Sequence, residues 1–145
     1  MKSRMYVIVN QYISGIQAGI QAAHAACRLV HNYSTNVDPD DCRVKLMKQW
    51  VTKDETMILL NGGYQKAMYD FTDEFILPIA DEIPFTYFHE EQDALNGALT
   101  AIAFVLPEKL WNTYVNREGE VIGNEKLTPQ EKRFVYEFKK MKLKG

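Results

Sequence analysis

The sequence predicts an α/β protein: a three-layer α/β/α domain around a mixed four-stranded sheet whose last strand is antiparallel, followed by a C-terminal helical extension. Three observations lead there. Short apolar runs at 5–9, 56–60, 85–88 and 99–106 have strand length and strand composition. Segments with helical apolar spacing separate the first three runs, and crossovers through helices make those strands parallel. The connection before the fourth run, residues 89–97, is shorter than a dozen residues, which favours an antiparallel pair.

Taken in order, the run 5–9 leads through a loop at 10–15 into an alanine-rich helix from Ile16. Asp38-Pro39-Asp40-Asp41 then offers an N-cap, a proline at the first helical position and acids for the positive helix end, so a second helix is expected to about Val51, with Val44, Met47, Trp50 and Val51 on one side. After the run 56–60, Gly62-Gly63 breaks the pattern before Tyr64, Ala67, Met68, Phe71 and Phe75 recur at helical spacing. Pro84 opens the third strand, and Pro107 stops the fourth. Beyond it, 116–120 reads as a hairpin tip, and Thr128-Pro129-Gln130-Glu131 is a capping box that starts a last helix with the stripe Phe134, Phe138 and Met141. The division is a domain at 1–107 and an extension at 108–145 packed on it.

Composition narrows the class. A chain of 145 residues with 46% hydrophobic content fits one compact core, burying roughly 68% of its unfolded surface at this size. No apolar run approaches the ~20 residues of a membrane span and no cleavable apolar leader precedes the first strand, so a cytoplasmic location without membrane contact is expected. Cys27 and Cys42 lack metal-ligand spacing and are expected as reduced, half-buried thiols. The net charge of -2 hides an asymmetry: residues 1–123 hold 10 Lys and Arg against 16 Asp and Glu, residues 124–145 hold 7 against 3. Long stretches of nucleic-acid backbone call for a broader basic surface, so any RNA contact should be small and local. The tail lysines also suit the negative end of the last helix.

Candidate chemistry gathers at the first helix. Positions 17, 21, 24, 28 and 31 form one stripe and read Gln, Gln, His, Arg, His. On spacing alone this is a solvated helix face, with Gln17 as the third residue of a capping box begun by Ser14. Amides and imidazoles in place of the usual Lys and Glu point instead to a site. Parallel strands put this helix start on the same sheet edge as the loop His89 to Gly97, which holds Glu90, Glu91 and Asp93 beside Asn96. Such an edge is where open α/β sheets hold ligands, and free helix amides can receive a phosphate or an oxyanion. An acidic loop that is merely solvated is the competing reading.

The run Gln21-Ala22-Ala23-His24-Ala25 resembles the first helix of the archaeal and eukaryotic type of peptidyl-tRNA hydrolase, the type 2 family, roughly Lys-x-x-x-Gln-x-x-His-Ala after a strand and a glycine-containing loop. Gln17 stands at the family's lysine position. Gly97-Ala98-Leu99-Thr100 and Pro107 keep the frame of the family's later loop and strand, while its Asp-Ala-Gly is absent; Glu90 and Glu91 lie two or three residues from the aspartate position, and Asp93 a little further. The likeness covers about residues 5 to 107 and resembles a divergent branch of the sort carried by viral genomes, bacteriophage among them.

The resemblance implies hydrolysis of the ester joining a peptide to the terminal ribose of tRNA, with no cofactor and no metal. His24, Glu90, Glu91 or Asp93 would handle the water and Thr100 would orient a partner. Gln21, Asn96 and the helix amides would donate to the oxyanion, and Ser14, Gln17, Gln21, Arg28 and Asn96 would contact the tRNA acceptor end. Two other expectations stand beside it: a catalytically weak descendant that binds tRNA, a nucleotide or a host protein, and an interaction protein whose working part is the tail. A homodimer is compatible with all three.

Overall fold

The apolar run at the N-terminus becomes an interior strand of the sheet. The computed structural model describes residues 2–34, 38–92 and 97–145. Its elements are β1 (Ser3–Val9), α1 (Ile16–Asn32), α2 (Cys42–Gln49), β2 (Met57–Asn61), α3 (Gln65–Phe71), β3 (Phe85–His89), β4 (Leu99–Pro107), α4 (Glu108–Trp111), β5 (Thr113–Val115), β6 (Val121–Gly123) and α5 (Pro129–Phe138). β1 pairs parallel with β2 and antiparallel with β4, and β3 pairs antiparallel with β4, giving the order β2-β1-β4-β3. Hence β1, β2 and β3 run one way and β4 the other, as the connections predict. Flanked on both sides and covered on both faces, β4 is buried along its whole length.

Alternation along β1 and β4 divides the core into two layers. Met5, Val7, Val9, Ala101 and Ala103 face α1 and α2, where Ala18, Ala22 and Ala25 of α1 lie against them. Small residues on both sides bring the helix backbone close to the sheet. Tyr6, Ile8, Ile102 and Phe104 face the other way and meet α3 and α5. From α5, Phe138 sits edge-on to Tyr6 at 4.7 Å and Phe134 edge-on to Phe104 at 5.9 Å.

The extension therefore completes the second helical layer. The expected hairpin forms between β5 and β6, with Asn116 N–H donating to Glu120 at its tip. The capping box forms too: Thr128 Oγ1 accepts from Glu131 N–H, and the Glu131 carboxylate, 1% exposed, accepts from Thr128 N–H and pairs with Lys109 at 2.7 Å. Beyond α5 the chain turns back along β2. Asn61 N–H donates to the Lys142 carbonyl and Lys144 N–H to the Leu59 carbonyl, occupying the outer edge of β2 that would otherwise be open for pairing.

Local departures from the sequence reading have simple causes. α2 is capped by Asp41, whose carboxylate accepts from Arg43 N–H, because Pro39 falls in a preceding turn closed by Asp41 N–H to the Asp38 carbonyl. α2 and α3 run on into π turns at Trp50–Asp54 and Thr72–Ile76, and the wider turn leaves Val51 exposed while Leu46 and Met47 fill the core. Cys27 and Cys42 are free and exposed, not half-buried. Cys27 lies on the outer face of α1, and Cys42 opens α2 at the surface.

Candidate functional site

The loop after β1 enters α1 through a glycine. Gly15 caps the helix at φ +59°, a left-handed conformation that a side chain would strain, and no side chain caps the free amides. The expected Ser14–Gln17 capping box does not form: with Gly15 at the cap, Gln17 stands one place too early to be its third helical residue. Ser14 and Gln17 are both exposed.

One turn on, the polar stripe divides. His24 and Arg28 remain on the outer face, but Gln21 is 3% exposed and lies between two strands. Its Oε1 accepts from Thr100 Oγ1 at 2.7 Å, and its Nε2 donates to Glu90 Oε2 at 2.8 Å. The solvated-face reading thus fails at this position, where a buried amide has both ends satisfied.

What aims Thr100 at Gln21 is a β-bulge. Phe88 is opposite Ala101 while His89 is opposite Leu99, so β4 carries one extra residue, Thr100. Leu99 packs in the α3 layer and Ala101 in the α1 layer. The bulge turns the intervening Thr100 towards α1, where its hydroxyl also reaches the Phe88 carbonyl at 3.4 Å.

Phe88, at the end of edge strand β3, forms the adjoining wall. His24 stacks on its ring, centroids 4.9 Å apart and planes 10° apart, and the Arg28 guanidinium lies 5.1 Å from the same ring. Beneath the site, Asn10 Nδ2 donates to the Leu99 carbonyl and Gln65 Oε1 accepts from Leu99 N–H. These two amides pin the start of β4. Sequence reasoning missed Phe88, Asn10 and Gln65 as parts of the site. Asn10 and Gln65 carried a weak signal, each being an amide placed directly at a strand end or helix start; Phe88 was marked only by its place near the aspartate position of the family that the sequence resembles.

Of the residues expected on the acidic loop, Glu90 joins the helix and Glu91 is exposed, while Asp93 and Asn96 lie outside the described residues. Hydrogen bonds from Gln21 and then from Glu91 N–H, with the nearby His24 adding to them, hold the Glu90 carboxyl below the usual carboxylate range. Glu90 is therefore ionised at neutral pH and a weak base. An imidazole is the side chain suited to taking a proton there. Among the described residues no group of His, Cys, Asp and Glu is arranged to hold a metal ion, and no helix is long and apolar enough to cross a membrane. No protein-family model and no curated protein sequence matches the chain.

Proposed function

We propose that this sheet edge hydrolyses the ester bond of peptidyl-tRNA or of an N-blocked aminoacyl-tRNA. The supporting observation is the buried amide of Gln21, held between Thr100 and a fixed carboxylate, Glu90, one turn into α1 from its uncapped N-terminus. In this reading Glu90 orients the attacking water as a fixed acceptor. His24, stacked and exposed, takes the proton. The α1 amides stabilise the tetrahedral oxyanion, and Arg28 meets a phosphate of the acceptor end.

A second reading rests on the same network. Both ends of the Gln21 amide and both oxygens of Glu90 are engaged inside the protein, as in a latch that fastens α1 to β3 and β4. That favours a member of the same fold that binds a tRNA end without turning it over.

Incubation of the purified chain with N-acetylated aminoacyl-tRNA separates the two. The hydrolase reading expects release of free tRNA, reduced about 10²-fold or more by His24→Ala or Glu90→Gln, within the range of general acid–base catalysis. Release no faster than in buffer, with deacylated tRNA still bound, leaves the binding reading.

A further inference from the structure

The sheet edge carries a second feature that the site above does not use. The β1–α1 and β2–α3 loops are tied together by Gln11 N–H donating to the Gly63 carbonyl at 2.8 Å. On either side of that bond stand two tyrosines, Tyr12 at 78% and Tyr64 at 61% exposure. Both rings stand mostly in solvent, open to a ligand.

The C-terminal segment brings cations to the same place. Its pairing along β2 carries Lys142 to the wall of a groove of about 540 Å³ that Gln11, Gly62 and Gly63 also line, and Lys144 Nζ reaches the Gln11 carbonyl at 3.3 Å. Two residues apart on an extended segment, these lysines lie on one side of it. The groove holds carboxylates as well, but Asp70 is paired with Lys66 at 2.6 Å and Glu137 with Lys140 at 3.2 Å. Glu74 is the remaining acid of its lining. Among the described residues neither Lys142 nor Lys144 forms an ion pair with a carboxylate, and Lys144 meets only the neutral Gln11 carbonyl, so both charges face a ligand at the ledge beside Tyr12 and Tyr64.

Exposed aromatic rings beside cations fit single-stranded nucleic acid, whose bases stack and whose phosphates pair. We infer that the ledge of Tyr12, Tyr64, Lys142 and Lys144 binds the single-stranded 3′ end of an RNA, with bases on the tyrosines and backbone phosphates on the lysines. The choice of a tRNA end as the RNA rests on the proposed function; the ledge itself does not. In this arrangement the tail supplies the cations that Gln17, exposed at the start of α1, does not.

The test is fluorescence anisotropy of the full chain with a labelled single-stranded RNA ending in CCA and with deacylated tRNA, neither of which requires turnover. Lys142→Glu combined with Lys144→Glu should weaken binding about tenfold or more and flatten its salt dependence by about 0.7 in log–log slope for each phosphate no longer neutralised. Tyr12→Ala combined with Tyr64→Ala should weaken it about tenfold with the salt slope unchanged. Lys126→Glu, a tail lysine away from the ledge, should bind as the parent does. Retained thermal unfolding in each variant shows that the fold is intact. Parent-like binding by both ledge variants, or no binding by the parent, overturns the inference. Binding through the ledge without ester hydrolysis overturns only the hydrolase reading, and hydrolysis with ledge-independent binding overturns only the ledge.

Discussion

At the residue scale the Gln21 network makes an ordered prediction, because its members differ in what their loss leaves behind. Thr100→Val removes the hydroxyl that donates to Gln21 Oε1 and strands a buried carbonyl oxygen, which costs about 1–3 kcal/mol. Gln21→Leu leaves less unsatisfied: Thr100 keeps the Phe88 carbonyl as an acceptor, and half-buried Glu90 can turn to water. Its cost should be nearer ~1 kcal/mol. Urea unfolding of the two variants checks the order, and a larger loss for Gln21→Leu would show that the amide, rather than the hydroxyl, is the keystone. Gly62 is a second sensitive position, since a Cβ there would stand 3.0 Å from Met68 Cγ and 3.3 Å from Ile8 Cβ. Gly62→Ala should lower the melting temperature.

At the scale of elements, α1 is the instructive case. Its N-terminus has free amides, no acid in its first turn and an exposed Gln17. Gln17→Lys should therefore cost about 0.3–1 kcal/mol against the helix dipole and raise affinity for deacylated tRNA. A stability loss without tighter binding would mean that no phosphate comes near this position. The elements themselves were legible because periodicity is a property of neighbours in sequence: the order of elements along the chain, the strand directions and the Thr128 capping box all followed from local pattern, whereas the placing of β4 between β1 and β3 did not. The Thr100 bulge was not legible, since one extra residue in an apolar strand leaves no mark on composition. The same holds for the division of the polar stripe. Spacing puts Gln21 and His24 on one side of the helix, but only the packing of α1 against β3 and β4 decides which of them is covered.

At the scale of the molecule, the extension is part of the core. Phe134 is fully buried against Phe71, Phe104 and Phe138, so Phe134→Ala should cost about 3–5 kcal/mol, measured by urea unfolding. Removal of residues 124–145 would strip α5 from the second helical layer and uncover Tyr6 and Phe104, and a soluble, cooperatively melting product would contradict that. Stability should also fall in acid. Hydrogen bonds from Arg43 hold Asp41 at about 2, those from Ser3 lower Asp54, and those from Gln21 lower Glu90. Burial opposes ionisation of Glu131, yet its bonds to Lys109 and Thr128 leave it lowered as well. Each contribution is whole above the ordinary carboxylate range of ~4 and is lost as pH falls through the folded value, because the unfolded chain takes up protons first. Melting temperature should decline from about pH 5 towards pH 2; an unchanged value at pH 3 would refute this.

The place of β1 in the sheet has a consequence in time. Its residues are synthesised well before those of β4 at Leu99–Pro107, which completes one of its edges. Until that strand leaves the ribosome, β1 and β2 can form only a two-stranded apolar ribbon with an open side. Closing so long a loop is slow, and the waiting ribbon is sticky. Nascent chains stalled before residue 99 should therefore depend on chaperones more than those that have exposed β4, and the dependence should end only once α5 has followed and covered Tyr6 and Phe104.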